Sequence, residues 1–192
     1  MSEWYRRLGI PLLFATPVSL IAVSYIGRQH RRFLERSRPL SESQRARLSP
    51  FFSSTTLNTV RLANDFVPVP PLYRMIRRLG LRNMPDLSAI AGITFMDVIV
   101  HSERLSDALL FHELVHVVQY EVLGLRRFAG YYVRGFLTSG SYDDIPLERQ
   151  AYSLGHRFEQ RPREGFSVLE EVREWQAAGC LDARVHTTDR SG

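Results

Sequence analysis

The sequence predicts an α+β fold that is mostly helical, with a small sheet beside a central amphipathic helix and a separate hydrophobic helix at the N-terminus. Three observations predict it. Residues 8–27, LGIPLLFATPVSLIAVSYIG, run without a single charge. Residues 93–100, ITFMDVIV, are rich in β-branched and aromatic side chains and lead into a helical pattern, DALLFHELVHVVQYEVL. Further helical periodicity recurs over 125–140, from Pro146 onward, and over 165–178.

Taken in order, the charge-free stretch is long enough to span a bilayer as a helix. Trp4 and Tyr5 precede it and Tyr25 lies near its end, where interfacial aromatics belong. The denser arginine flank follows it, which favours an inserted anchor with the main domain cytoplasmic. A cleaved signal peptide and an interfacial or buried helix are the competing readings, because a short basic region precedes the stretch and Pro11, Thr16, Pro17, Ser19 and Ser24 interrupt it. Transmembrane helices tolerate such prolines. Arg28, Arg31, Arg32, Arg36 and Arg38 then stand against Glu35 alone over residues 28–38, a block suited to anionic lipid. No nucleic-acid-binding motif accompanies it, so nucleic acid is not an expected partner.

Residues 28–50 have the look of a polar amphipathic connector, with helix boundaries at Pro39–Ser41 and Ser49–Pro50. TLNTVRLA at 56–63 has a strand-like pattern. Pro68, Pro70 and Pro71 make 66–73 an extended covering loop, and residues 72–79 suit one or two helical turns ended by Gly80. Gly92 opens the main strand candidate. Ser106 is a helix N-cap for the central helix, which ends at Gly124, and Pro146 suits the first position of the next helix. The domain organisation expected is a membrane-associated helix over 1–30, a basic connector over 31–55, the main domain over 56–182 and a flexible tail over 183–192.

Composition narrows the function classes. At 44% hydrophobic the chain is not disordered. Its formal charge is +5, and all 25 basic residues are arginine. Cys180 is the single cysteine, which excludes an internal disulfide and a cysteine-based metal site.

The chemistry concentrates in His112-Glu113-Leu114-Val115-His116. Two histidines four apart on a helix share a face, so both rings reach one ion, and the glutamate between them can take a proton from a water held there. A charged Glu113 among Leu109, Leu110, Leu114, Val115, Val117 and Val118 is costly without a role. A distal histidine in the HExxHxxGxxH pattern is missing, because Gln119 and Val122 occupy those positions. The third ligand must come from elsewhere. Glu148, in the first turn of the Pro146 helix with the small Ala151 three residues on, is the choice. Asp143, Asp144 and His156 are the alternatives, and Glu121 lies off the ligand face. Tyr142, Tyr152 and His156 are candidates for a second donor to an oxyanion, with Tyr152 one turn beyond Glu148. Gln119 is placed to anchor the next segment or to support a ligand. Tyr120, Tyr131, Tyr132 and Phe136 suit helix packing.

LLFHELVHVVQYEVLG, FAGYYVRGF and YDDIPLERQAY together resemble the gluzincin branch of zinc metallopeptidases, most closely the small uncharacterised bacterial HExxH families whose motif helix reads HELxHxxQ. The resemblance covers residues 90–158 and implies a zincin-like domain. In it His112, His116 and Glu148 would bind Zn2+, and Glu113 would be the general base. The expected activity is hydrolysis of peptide or amide bonds in a peptide or protein substrate. Thermolysin-like enzymes carry an Asn-Glu in their second motif, where this chain has Leu147-Glu148. The alternative function is a non-catalytic, membrane-associated zincin-fold protein for binding or assembly.

Overall fold

The computed structural model describes residues 15–66, 91–102, 104–138 and 142–179. The start of the charge-free stretch, the proline-rich loop from residue 67 on, the turns at 72–79 and the C-terminal tail lie outside the described residues.

The domain is mostly helical, with a small open sheet packed against the helix that carries both histidines. Helix α1 (Ala15–Leu34) leads into the two-residue strand β1 (Arg38–Pro39) and the short helices α2 (Glu42–Leu48) and α3 (Ser54–Thr59). Strands β2 (Arg61–Asn64), β3 (Gly92–Phe95) and β4 (Val98–His101) complete the sheet. Helices α4 (Asp107–Thr138), α5 (Pro146–Gln160) and α6 (Val168–Ala177) follow. The strand order is β1-β2-β4-β3, with β2 parallel to β4 and β3 antiparallel to it.

Local chemistry sets several boundaries. Ser41 and Gln44 form a reciprocal capping box at the start of α2, which confirms the restart expected after Pro39. Ser106 accepts from the Leu109 N–H and caps α4. Ser53 caps α3 through the Thr56 N–H. This turns the first half of TLNTVRLA into helix, and only Arg61 onward is strand. The cap outweighs the β-branched threonines because Thr56 also donates its hydroxyl to Glu121 of α4.

The segment expected as one strand over 93–100 is instead a hairpin. β3 and β4 pair Phe95 with Val98 across a turn at Met96 and Asp97. The turn lacks the Asn-Gly or Gly signal of tight hairpins, and Met96 adopts a left-handed φ of 62°. That conformation costs a non-glycine residue about 1–2 kcal/mol. Asp97 is tied down by His30 of α1 at 2.6 Å, which anchors the strained turn.

Strand alternation divides the core. Leu62 and Ile99 join the cluster containing Leu110, Leu114 and Val118 of α4. Ala63, Phe95, Val98 and Val100 pack with Phe33, Tyr25 and Ile26 of α1. All of β4 is therefore buried, as a strand covered on both faces should be. The basic stretch after residue 28 is part of this packing. α1 runs unbroken through Arg28, Arg31 and Arg32, and Phe33, Leu40, Leu48, Phe51 and Phe52 are core residues. Arginine and serine mark the solvent side of this stretch, and its few apolar residues are the inward-facing ones. Phe111 binds the layers together, stacking on Phe158 at 4.4 Å and meeting Phe51 and Phe52 edge-on.

α4 is a helix pair joined at Gly124, whose φ of 71° and ψ of 159° belong to a region open essentially to glycine. Tyr120 and Phe128, four residues to either side, stack at 3.6 Å and close the kink. Among the described residues α4 alone is long and apolar enough to cross a membrane, and most of that apolar window is buried inside the domain. Its apolarity serves the core.

Gly124→Ala is expected to cost about 1–3 kcal/mol, the range for a forced non-glycine conformation. Chemical denaturation of the two proteins measures it. An unchanged midpoint would mean that the kink is not needed.

Candidate metal centre

The central helix presents His112 and His116 one turn apart, with their rings 4.8 Å apart and nearly perpendicular. Their Nε2 atoms lie 3.1 Å from each other. Glu148 enters from the first turn of α5, with its Oε2 3.3 Å from His112 Nε2 and 3.4 Å from His116 Nε2. Pro146 starts α5, as the sequence predicts. The close approach of the helices depends on small residues. Ala151 is fully buried, and a side chain at Gly135 would come within 2.9 Å of Pro146.

The three donor atoms suit one divalent cation. In a tetrahedral site with bonds of about 2.0–2.1 Å, donors lie about 3.3–3.4 Å apart. The observed triangle is close to that on every edge. Glu148 is only 1% exposed, and its Oε2 accepts no well-formed hydrogen bond. A buried carboxylate oxygen facing two imidazole nitrogens is a site made for a shared cation. These residues form the His/His/Glu cluster, and no further histidine, cysteine or carboxylate joins it among the described residues.

His116 and Glu148 are each held from behind. The Gln119 side-chain nitrogen donates to the Leu147 carbonyl and to Gln150 Oε1, both at 3.0 Å. A carbonyl can only accept, so the amide oxygen of Gln119 must face His116. It receives the Nδ1 proton at 2.8 Å. In the neutral ring this leaves the Nε2 lone pair directed at the cluster. Gln119 is fully buried, and it both supports a ligand and ties α4 to α5. Glu148 Oε1 accepts from Tyr142 at 2.6 Å and from Tyr132 at 2.9 Å. Burial, and then the Glu148 charge, raise both phenols well above their ordinary pKa, so they remain donors.

Glu113 is 4% exposed, and Thr94 of β3 donates its hydroxyl to the carboxylate at 2.6 Å. Gly92 makes the room, since a Cβ there would lie 2.9 Å from Glu113 Oε1. Tyr152 lies beside the cluster, 49% exposed, with its ring 4.6 Å from that of His112. Burial pushes its phenol up to about 12.

The other candidates are elsewhere. His156 is exposed and bonded to Gln160, and Glu121 is engaged with Thr56. Asp143 and Asp144 are exposed and outside the cluster. Tyr142 is at the centre, but its hydroxyl is given to Glu148. Thr94, Gly92, Gln150 and Tyr132 are supports that the sequence does not single out. On an unbroken helix Tyr132 would face away from the histidines, and the break at Gly124 brings it round to the cluster.

No family model, curated protein or solved structure matches this chain. The likeness to a zincin-type metal site is carried by the buried His112, His116 and Glu148 cluster.

Before a metal ion binds, the cluster holds a proton. Burial is the largest single influence on His116 and opposes its charged form. Glu148, with Glu113 and Gln119, outweighs it and raises the pKa from 6.5 to about 9. Burial pushes the Glu148 carboxyl upward, but the two imidazoles more than reverse this and hold it well below the usual range. A metal ion must displace the His116 proton, so affinity should rise with pH through neutrality and level off above about 9. Calorimetric titration of Zn2+ at pH 7.5, in buffers of different ionisation enthalpy, should report about one proton released per ion. A heat independent of buffer would contradict this.

Proposed function

We propose that the protein is a zinc-dependent metallopeptidase, or a related amide hydrolase. The observation that carries the reading is a set of three protein donors beside a buried fourth group, Glu113, which takes no part in the cluster. Structural zinc sites are closed by four protein ligands, whereas catalytic ones keep a position open. The two imidazoles and one carboxylate favour zinc over cations that prefer all-oxygen sites. When bound, zinc would supply Lewis acidity toward a substrate carbonyl and acidify a water molecule.

The chain's own residues supply the rest of the mechanism. Glu113 is the general base. Thr94 fixes one carboxylate oxygen, so the group is oriented before substrate arrives. It accepts a proton from the attacking water and returns it to the leaving amine. Tyr152 keeps its phenolic proton at neutral pH and is the exposed group next to His112. It is the proposed second donor to the developing oxyanion. Gln119 holds the His116 ring so that Nδ1 stays protonated throughout.

The proposed location is the membrane surface, with the part of the charge-free stretch ahead of Tyr25 inserted and the exposed arginines of the block 28–38 facing anionic headgroups. Leu20 and Ile21 of α1 are exposed apolar residues, and Arg28, Arg31, Arg32 and Arg36 are exposed about two to four turns further along the chain.

Glu113→Gln should retain metal and lower peptide hydrolysis by about 10²–10⁴-fold, whereas His116→Ala should lose metal and activity together. Metal analysis and a peptide-library assay on the same preparations measure both. Zinc with no hydrolysis of any peptide by the wild type would reject the peptidase in favour of the non-catalytic reading. For the anchor, the full chain should stay in the membrane pellet after an alkaline wash, and complete release would rule out insertion.

A further inference from the structure

Glu148 differs from the two histidines in one respect. A carboxylate offers two oxygens, and nothing in its chemistry prevents both from binding one ion. Monodentate and bidentate binding give different coordination numbers, and bidentate binding suits larger, harder cations. Here the two oxygens have different surroundings. Oε2 faces the Nε2 atoms of His112 and His116. Oε1 accepts both tyrosine hydroxyls, Tyr142 at 2.6 Å and Tyr132 at 2.9 Å. An sp² carboxylate oxygen has two lone-pair directions, so two donors use its capacity.

We propose that Tyr132 and Tyr142 are positioning residues that hold Glu148 as a one-oxygen ligand, and thereby set the coordination number and ion preference of the centre. The inference rests on the metal-centre reading above and goes beyond it. The two phenols come from different elements. Tyr132 lies on the second half of α4, beyond the Gly124 kink, and Tyr142 lies just ahead of α5, where its carbonyl accepts from the Ile145 N–H at 3.0 Å. Their rings meet at 6.3 Å and 67°. Gly135, one turn beyond Tyr132, allows α4 to pack directly on Ile145 and Pro146, two residues before Glu148. The kink and the small residue thus bring the Tyr132 hydroxyl to a carboxylate sixteen residues away in sequence.

Both phenols are neutral donors, so they fix Glu148 without cancelling its charge. Rotation of the carboxylate to bring Oε1 onto the ion would break two short hydrogen bonds in a buried setting, where lost partners are not replaced by water. The clamp therefore favours a small ion at low coordination number, such as zinc, and disfavours calcium or manganese, which accept more oxygens. A packing role alone would require the rings and not the hydroxyls.

The test uses the full chain, with Y132F, Y142F and the double variant, which keep both rings. Each protein is loaded with Co2+ in place of zinc, and its visible spectrum is recorded. The wild type should show the intense absorption of a four-coordinate cobalt. The double variant should fall several-fold in intensity as Glu148 becomes bidentate, and its zinc affinity should drop about 10–100-fold in a chelator competition. The ratio of zinc to manganese affinity should fall with it. Y142F alone, which removes the shorter bond, should shift the spectrum in the same direction and carries the test if the double variant does not fold. Variants with the wild-type spectrum and the wild-type affinity ratio would overturn the clamp while leaving the metal centre standing. A folded wild type that binds no cobalt or zinc would overturn both.

Discussion

A single buried carboxylate organises this molecule. Glu148 is almost wholly removed from water, and its charge there is sustained by two imidazoles on one oxygen and two phenols on the other. An ionised group in that position is expensive unless every side of it is answered, and removing one partner from such an arrangement typically costs about 3–5 kcal/mol. The fold can be understood as the means of bringing those four partners together. Two come from one turn of α4, one from the same helix after its kink, and one from the turn that starts α5.

The sheet acts one step further out. Thr94 of the edge strand β3 orients Glu113, and Gly92 leaves space for its carboxylate. The strained β3–β4 turn at Met96 is tied through Asp97 to His30 of α1. The N-terminal helix thereby contributes to holding the strand that holds Glu113. α1 is built into the domain at its C-terminal end, where Phe33 and Tyr25 pack on Phe95. Its exposed Leu20 and Ile21 lie further toward the N-terminus.

Much of the centre was legible in the sequence because its signals are local. His112, Glu113 and His116 depend only on helical spacing, and Glu148 followed from a proline-started helix with a small residue one turn on. The Ser106 cap, the break at Gly124 and the final helix followed from equally local rules. The features without a local signal depend on contacts between distant segments. The hairpin was hidden because Met96 and Asp97 carry no turn signature and are stabilised from α1. The helical start of TLNTVRLA depends on a cap at Ser53 and a partner on α4. Tyr132 could not be phased with the histidines across Gly124. The arginine-rich stretch after residue 28 concealed its core residues because they occur singly among charges.

His112, His116 and Glu148 should hold one metal ion in common. X-ray absorption at the zinc edge, on the folded wild-type chain, tests it most directly. A single zinc ion per chain is expected, with two imidazole nitrogens and one carboxylate oxygen at about 2.0–2.1 Å. A folded protein that takes up no zinc, or a zinc shell without imidazole, would contradict it.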